Sequence, residues 1–320
     1  MTSLSIIGGG SLGLLLGGKL SRAGCAVTIV TKTAEQAERL AEAGITIEDA
    51  VAGEPSVTVP IEAVAVEDAS ATDGLALLTV KQTALTDNFM KWLADIVPIG
   101  ATVVLFQNGV GHVDKLRLGL PGRELLVAVT TEGALRTGPT TVLHTGKGEI
   151  RIGEWGLSHD EEWDANNQNS REDALKTPFV LESLFKQAGF TVILSNKLEE
   201  AVWRKLLINA VINPLTALLR VRNGQLPATR ERMELMRALF DETYTILSNR
   251  GLAEERDALW QSVLAVCDST KRNESSMLQD VLSGRETEVD AINGAVSRLA
   301  AEQGMKAPWN DAICALVKAT

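Results

Sequence analysis

Lys205, Asn209 and Asn213 recur at four-residue intervals within the apolar run WRKLLINAVINPLTAL at 203–218. On a helix each such step turns only about 40°, so the three polar side chains share one face. An ammonium among leucines is costly to bury unless its charge is relieved, and a partly desolvated lysine with a lowered pKa can give up a proton near neutral pH. Reducing a carbonyl needs such a donor opposite the incoming hydride. The competing reading turns the stripe to water and the leucines to the core. Asparagine is a poor helix former unless its amide is used, which favours chemistry.

A second group lies in SSMLQDVLSGRETEVDAING at 275–294. Ser275 and Ser276 precede a helical stretch, and Ser283 and Glu286 have the spacing of a capping box. Glu288 borders the apolar stripe Val289, Ile292 and Val296. It reads either as a solvated helix carboxylate or as a group that orients Lys205 or binds a substrate hydroxyl.

At the other end of the chain, LSIIGGGSLGLLLGGKL places Gly8, Gly10 and Gly13 in the G-x-G-x-x-G pattern, after an apolar strand and at the opening of a helix. Gly8 permits the tight turn, Gly10 lets backbone approach a pyrophosphate, and Gly13 lets the helix pack close to the sheet. Ser11 and Leu12 belong to the same turn, whose free N–H groups favour phosphate. A dinucleotide cofactor follows. The second strand, where a carboxylate would select the ribose 2′-hydroxyl, ends in Thr31 and Lys32 instead. A hydroxyl and a cation suit a 2′-phosphate, so NADPH is expected over NADH. The missing acid also counts against FAD and S-adenosylmethionine. Two later strands end in Lys81 and Asn108, at the sheet edge where ligands of open α/β sheets lie.

These residues need a scaffold that the pattern of the whole chain supplies. The first half alternates short apolar runs (LSIIG, AVTIV, LALLTV, ATVVLFQ, ELLVAVTT) with helical periodicity, which predicts a doubly wound, largely parallel sheet. TTVLHTGKGEIRIGEW adds two strands joined by a glycine turn. From about Leu198 only helical patterns remain. The boundary predicts a Rossmann-type domain at 1–196 and an all-helical substrate and catalytic domain at 197–320, with the polar stripe opening onto an interdomain cleft. Asn196 and Glu199 read as the cap of the first long helix, Pro214 as a kink within it, and Gly224 as its stop. The acidic segment 157–178 reads as a solvated loop.

Composition narrows the classes. With 31 basic and 41 acidic residues the net charge is −10, and no basic tract could follow a phosphate backbone, so nucleic acid is not an expected partner. The first residues lack the positive segment of a signal peptide, and no run of roughly 18 apolar residues suggests a membrane span. Cys25, Cys267 and Cys314 are far apart and in no C-x-x-C pair, which fits reduced thiols in the cytoplasm. No cluster has metal-ligand spacing. His144 reads as structural and His112 as at most a minor cofactor contact.

Taken together, GGGSLG, TVK at 79–81, QNGVG at 107–111, WRKLLINAVINPLTAL and SSMLQDVLSGRETEVDAING resemble the ketopantoate reductase (2-dehydropantoate 2-reductase) family over nearly the whole chain. The resemblance implies a C-terminal domain like that of 6-phosphogluconate dehydrogenase and allows a homodimer. It implies NADPH-dependent reduction of 2-dehydropantoate to (R)-pantoate, on the route to pantothenate and coenzyme A. By position in these motifs Lys205 looks like the proton donor and Glu288 like the glutamate that engages lysine and substrate. Asn209, Asn213 and Ser276 look like substrate contacts, and Lys81 and Asn108 like residues near nicotinamide and substrate. Lys32 stands where many members carry arginine, which keeps the charge and loses the bidentate fork. Two other readings differ in class: a reductase of another 2-keto acid or an imine, and a nucleotide sensor that has lost chemistry.

Overall fold

The computed structural model describes residues 3–50, 53, 55–156 and 176–320. The strands are β1 (Ser3–Ile7), β2 (Ala26–Thr31), β3 (Ile45–Asp49), β4 (Val57–Val59), β5 (Glu62–Ala65), β6 (Leu75–Leu78), β7 (Thr102–Leu105), β8 (Glu124–Thr130), β9 (Gly133–Arg136), β10 (Thr141–Gly146), β11 (Glu149–Gly153) and β12 (Thr191–Leu194). The helices are α1 (Ser11–Arg22), α2 (Ala34–Ala43), α3 (Asp87–Ile96), α4 (His112–Gly119), α5 (Lys176–Gln187), α6 (Leu198–Leu219), α7 (Arg230–Ser248), α8 (Arg256–Ser269), α9 (Ser276–Leu282), α10 (Val289–Glu302) and α11 (Pro308–Lys318). They divide into two compact units, one of residues 1–107 and 112–198, the other of residues 108–111 and 199–320.

The first unit carries a sheet in the order β12-β11-β8-β7-β6-β1-β2-β5. All neighbours run parallel except β8 and β11. β6 and β7, sequences LALL and TVVL, are buried at every residue, as parallel strands covered on both faces should be. Strand order reverses beside β1, where Ile7 pairs with Val30 on one side and Leu78 on the other. Such a switch point is where an open α/β sheet binds its ligand, and it lies at the end of β1 where the glycine turn begins. Beneath it, Leu14, Leu15 and Leu16 of α1 join Ile6, Ile29 and Phe185 in one core cluster.

Some expected details differ. β10 and β11 both form, yet they do not pair with each other: β10 lies between β3 and β9 in a second, four-stranded sheet, while β11 lies between β8 and β12. The glycine-rich connection at 146–148 moves the chain between sheets instead of closing a hairpin. The acidic segment 157–178 falls, up to residue 175, outside the described residues.

The second unit is helical outside the short stretch 108–111. α6 is buried around most of its circumference, with Val202, Leu206, Leu207, Ala210, Val211 and Leu215 all inside. Its first residue is Leu198, which puts Lys197 at the cap position and leaves Asn196 one residue too early. The Lys197 N–H is received by Ser195 Oγ at 3.2 Å. Gly224 is not the stop either. The helix ends when Arg220 takes a left-handed φ of 51° and the Val221 N–H reaches back to the Thr216 carbonyl at 3.2 Å. Ser283 opens no capping box; it closes α9, donating its N–H to Gln279 O and Asp280 O, and the cap position of α10 belongs to Glu288.

Candidate active site

In the first unit, two of the three motif glycines are demanded by the protein's own packing. Gly8 has φ 125°, and a Cβ there would lie 2.8 Å from Thr79 Oγ1 and 2.9 Å from Val80 N. A Cβ on Gly13 would fall 1.9 Å from the Gly8 carbonyl oxygen. Gly10 differs. It caps α1 with extended backbone, and a Cβ added there meets no heavy atom within 4 Å. Packing alone would tolerate a side chain at Gly10. Its bare backbone stands at a helix N-terminus whose first turn carries no acid, which fits close approach by a pyrophosphate.

Three residues that no motif marked as cofactor ligands hold this loop. Gln36 Nε2 donates to Gly9 O at 2.8 Å and to Pro139 O at 2.9 Å. Arg136 donates its backbone N–H to Ser11 Oγ at 3.0 Å and its guanidinium to the Gly9 carbonyl at 3.2 Å. Thr79, first residue of the TVK motif, donates to the carbonyl of Gly8 at 3.0 Å or Ile7 at 3.2 Å. The loop is therefore held by the protein's own contacts. Leu12 packs partly buried against the core cluster. Lys32 is exposed at the end of β2, and Lys81 caps the short turn that follows β6. Thr31 is turned inward: it is buried, and its hydroxyl donates to the Thr33 carbonyl at 2.8 Å. In this geometry Thr31 ties down the end of β2.

In the second unit, Lys205 and Asn209 are half-buried and Asn213 is buried. Burial pulls the lysine pKa down to about 8, with the Glu288 carboxylate pulling the other way. The stripe spans about 12 Å along the helix, two turns and a fraction. Among the described residues neither the Asn209 nor the Asn213 side-chain amide has a hydrogen-bond partner. Neither amide is among the buried side-chain atoms left without a partner, so both remain reachable from outside the helix and available to a ligand.

Glu288 is buried at the cap of α10, where its carboxylate accepts a long 3.5 Å hydrogen bond from Asn108 Nδ2. Asn108 is held there by its neighbours. The Val110 N–H donates to the Ala291 carbonyl at 3.3 Å, and Gly109 lies against the same oxygen with φ 79°. Lys205, Glu288 and Asn108 thus belong to one unit. Ser276 is exposed as the first residue of α9, whereas Ser275 faces inward. Ser275 Oγ accepts the Leu278 N–H at 3.0 Å and the Thr216 hydroxyl at 2.7 Å, and contacts the Asn213 carbonyl at 3.5 Å. It is the serine that fastens α9 to the polar stripe.

In the first unit, neither His112 nor His144 is placed to act as an acid. His112 is buried with Nδ1 2.9 Å from Gln82 Nε2, and burial lowers its pKa to about 4, so it is neutral at pH 7. His144 is fully buried in the smaller sheet, Nε2 2.6 Å from Glu132 Oε2 and Nδ1 3.6 Å from Asp49 Oδ2. Its partners make it a tie between strands. All three cysteines are free thiols. Among the described residues no helix is long and apolar enough to cross a membrane.

Comparison with known proteins places these features in a family. Residues 4–156 match the family model described as ketopantoate reductase PanE/ApbA, and residues 197–320 match its C-terminal counterpart. The chain is 36% identical over 321 residues to the 2-dehydropantoate 2-reductase of Bacillus subtilis, covering 99% of this chain and 96% of that protein. A solved structure of a probable 2-dehydropantoate 2-reductase from Bacillus subtilis superposes with a TM-score of 0.77 at 34% identity, over 99% of both chains. D-mandelate dehydrogenase, solved with NADH and anilino(oxo)acetate, shares the fold at 23% identity with a TM-score of 0.83, over 99% of this chain and 98% of that one.

Proposed function

The chain belongs to the ketopantoate reductase family, and from that premise we propose that it reduces 2-dehydropantoate to (R)-pantoate with NADPH, Lys205 supplying the proton. The observation that carries this reading is the lysine itself: a half-buried ammonium with its pKa lowered to about 8, on one helix face with two amides that have no protein partner among the described residues.

The roles follow from that chemistry. Gly8, Gly10, Ser11 and Gly13 hold the pyrophosphate at the start of α1, and Lys32 meets the 2′-phosphate. When bound, the nicotinamide supplies a hydride to the keto carbon. Lys205 donates its proton to the ketone oxygen, so that no free alkoxide accumulates. Asn209 and Asn213 hydrogen-bond the substrate and fix its orientation against the lysine. Glu288 favours the charged ammonium and itself accepts a hydrogen bond from Asn108. The free cysteines fit a reducing compartment, and we take the cytoplasm as the site of action.

Initial rates of nicotinamide oxidation by the purified protein test the reading, with 2-dehydropantoate beside other 2-keto acids, NADPH beside NADH, and Lys205→Ala as control. Fast, lysine-dependent turnover of 2-dehydropantoate with NADPH is expected. Preference for another keto acid would reassign the substrate, and cofactor binding without turnover of any would make the protein a sensor.

A further inference from the structure

Pro214 sits inside α6, one residue after Asn213 and nine after Lys205. It has no N–H to give the carbonyl four residues earlier, and its ring crowds that oxygen in a straight helix, so the Ala210 carbonyl must find another donor. It finds one on a different helix. Asn293 of α10 is fully buried and donates Nδ2 to the Ala210 oxygen at 3.0 Å.

The identity of that donor is fixed by a chain of polar contacts behind it. Glu242 of α7 accepts the backbone N–H groups of Trp309 and Asn310 at 3.0 and 2.8 Å, and the Asn310 side-chain Nδ2 at 2.9 Å. A carboxylate only accepts, so Asn310 must present its own oxygen to Asn293, at 2.9 Å. Asn293 must answer with Nδ2, whose two hydrogens then serve Asn310 Oδ1 and Ala210 O. Asn293 Oδ1 is left buried with no partner among the described residues. An unmet acceptor at a fully buried position is a liability, which argues that the donor side of this amide is what the position requires.

We propose that Asn293 repairs the backbone break made by Pro214, and that this repair is a positioning device for catalysis. The bond joins the turn of α6 between Lys205 and Asn213 to the helix whose cap is Glu288, five residues from Asn293. It thereby sets the proton donor and its carboxylate relative to each other within one unit. Asn293 is fully buried, so it acts through Lys205 and Glu288. The catalytic half of the proposal rests on Lys205 as the proton donor, while the repair itself does not.

A mutant cycle tests both halves. Asn293→Leu removes the donor at similar volume, Pro214→Ala restores a backbone N–H to the Ala210 carbonyl, and the pair is combined. Each protein is unfolded in urea and assayed for kcat, KM and the pH dependence of kcat/KM. We expect Asn293→Leu to lower the midpoint of unfolding and cut kcat about tenfold with KM little changed. Its high-pH limb should move down from about 8 as Lys205 loses its set position beside the Glu288 carboxylate, whose charge raises the lysine pKa. Adding Pro214→Ala should recover most of the lost stability and return the limb, and Asn293→Ser serves in the same cycle should the leucine variant not fold alone. Strictly additive stability effects would overturn the repair. Coupled stabilities with an unmoved pH limb would overturn the positioning role. Absence of 2-dehydropantoate turnover in the unmutated protein would sink the functional reading instead, and the stability cycle would still decide the repair.

Discussion

Gly109 lies so close to Ala291 that a Cβ on it would fall 2.1 Å from the Ala291 carbonyl oxygen, although 182 residues separate the two in the chain (291 − 109). The same oxygen accepts the Val110 N–H, so the loop leaving β7 is laid directly on the first turn of α10. This contact brings Asn108 to Glu288.

Gly109→Ala should therefore do more harm than an ordinary surface change. The residue would be held at φ 79° against a carbonyl it cannot clear, and left-handed backbone alone costs a non-glycine residue about 1–2 kcal/mol. The loop must lift, taking Asn108 from Glu288. A drop of several degrees in melting temperature together with at least a tenfold fall in kcat/KM is expected. Unchanged kinetics in a destabilised protein would separate the loop from catalysis.

Lys205→Met should give a protein that is far less active and more stable at pH 7. The folded pKa of about 8 lies below the ordinary 10.5, so between those values the unfolded chain holds the proton more firmly. Carrying the charged lysine thus costs the fold about 3 kcal/mol below pH 8, and the cost fades as pH rises to 10.5. Urea unfolding at pH 7 and pH 10 should show the gain at the first and its shrinkage at the second. In the unmutated enzyme kcat/KM for reduction should hold below pH 8 and fall about tenfold per unit above it, while Lys205→Met loses about 10²–10⁴ in rate.

Acid should weaken the first unit through His112. Its folded pKa of about 4 lies below the ordinary 6.5, so the unfolded chain takes up the proton first as pH falls. Stability is intact above pH 6.5 and declines by about 3 kcal/mol between 6.5 and 4. His112→Asn, which keeps an acceptor for Gln82, should flatten that decline. An equal acid slope in both proteins would mean that other groups cause it.

How much of this was legible in the sequence depends on the range of the interaction. The glycine spacing at 8–13 and the four-residue stripe at 205–213 are local patterns, and the structure builds a turn and a helix face on them. Ser283 and Glu286 also have a local pattern, but α9 already claims Ser283 at its end, and a spacing rule cannot tell a helix start from a helix stop. Thr31 has the residue type expected at a ribose site, but its burial and its bond to the Thr33 carbonyl follow from tertiary packing that the type does not reveal. Arg136, Gln36 and Asn293 were invisible for a different reason. Each acts on a backbone carbonyl, Gly9 or Ala210, and a carbonyl leaves no mark in the residue code. Only Pro214 hinted that Ala210 would need a donor, without naming which helix would bring it.

Cofactor choice should divide between two cations near the first unit's glycine loop. Lys32 is exposed at the end of β2, where a 2′-phosphate would be met, whereas Arg136 is bound to Gly9 and Ser11 and so acts on the loop itself. Lys32→Asp should raise KM for NADPH about a hundredfold, since it replaces attraction by repulsion, and leave NADH little affected or improved. Arg136→Ala should raise KM for both cofactors alike, because a loosened loop grips any pyrophosphate less well. Parallel KM measurements with the two nucleotides check this division. If Lys32→Asp moved both cofactors equally, the 2′-phosphate would have to be read elsewhere, and a selective effect at Arg136 would name the place.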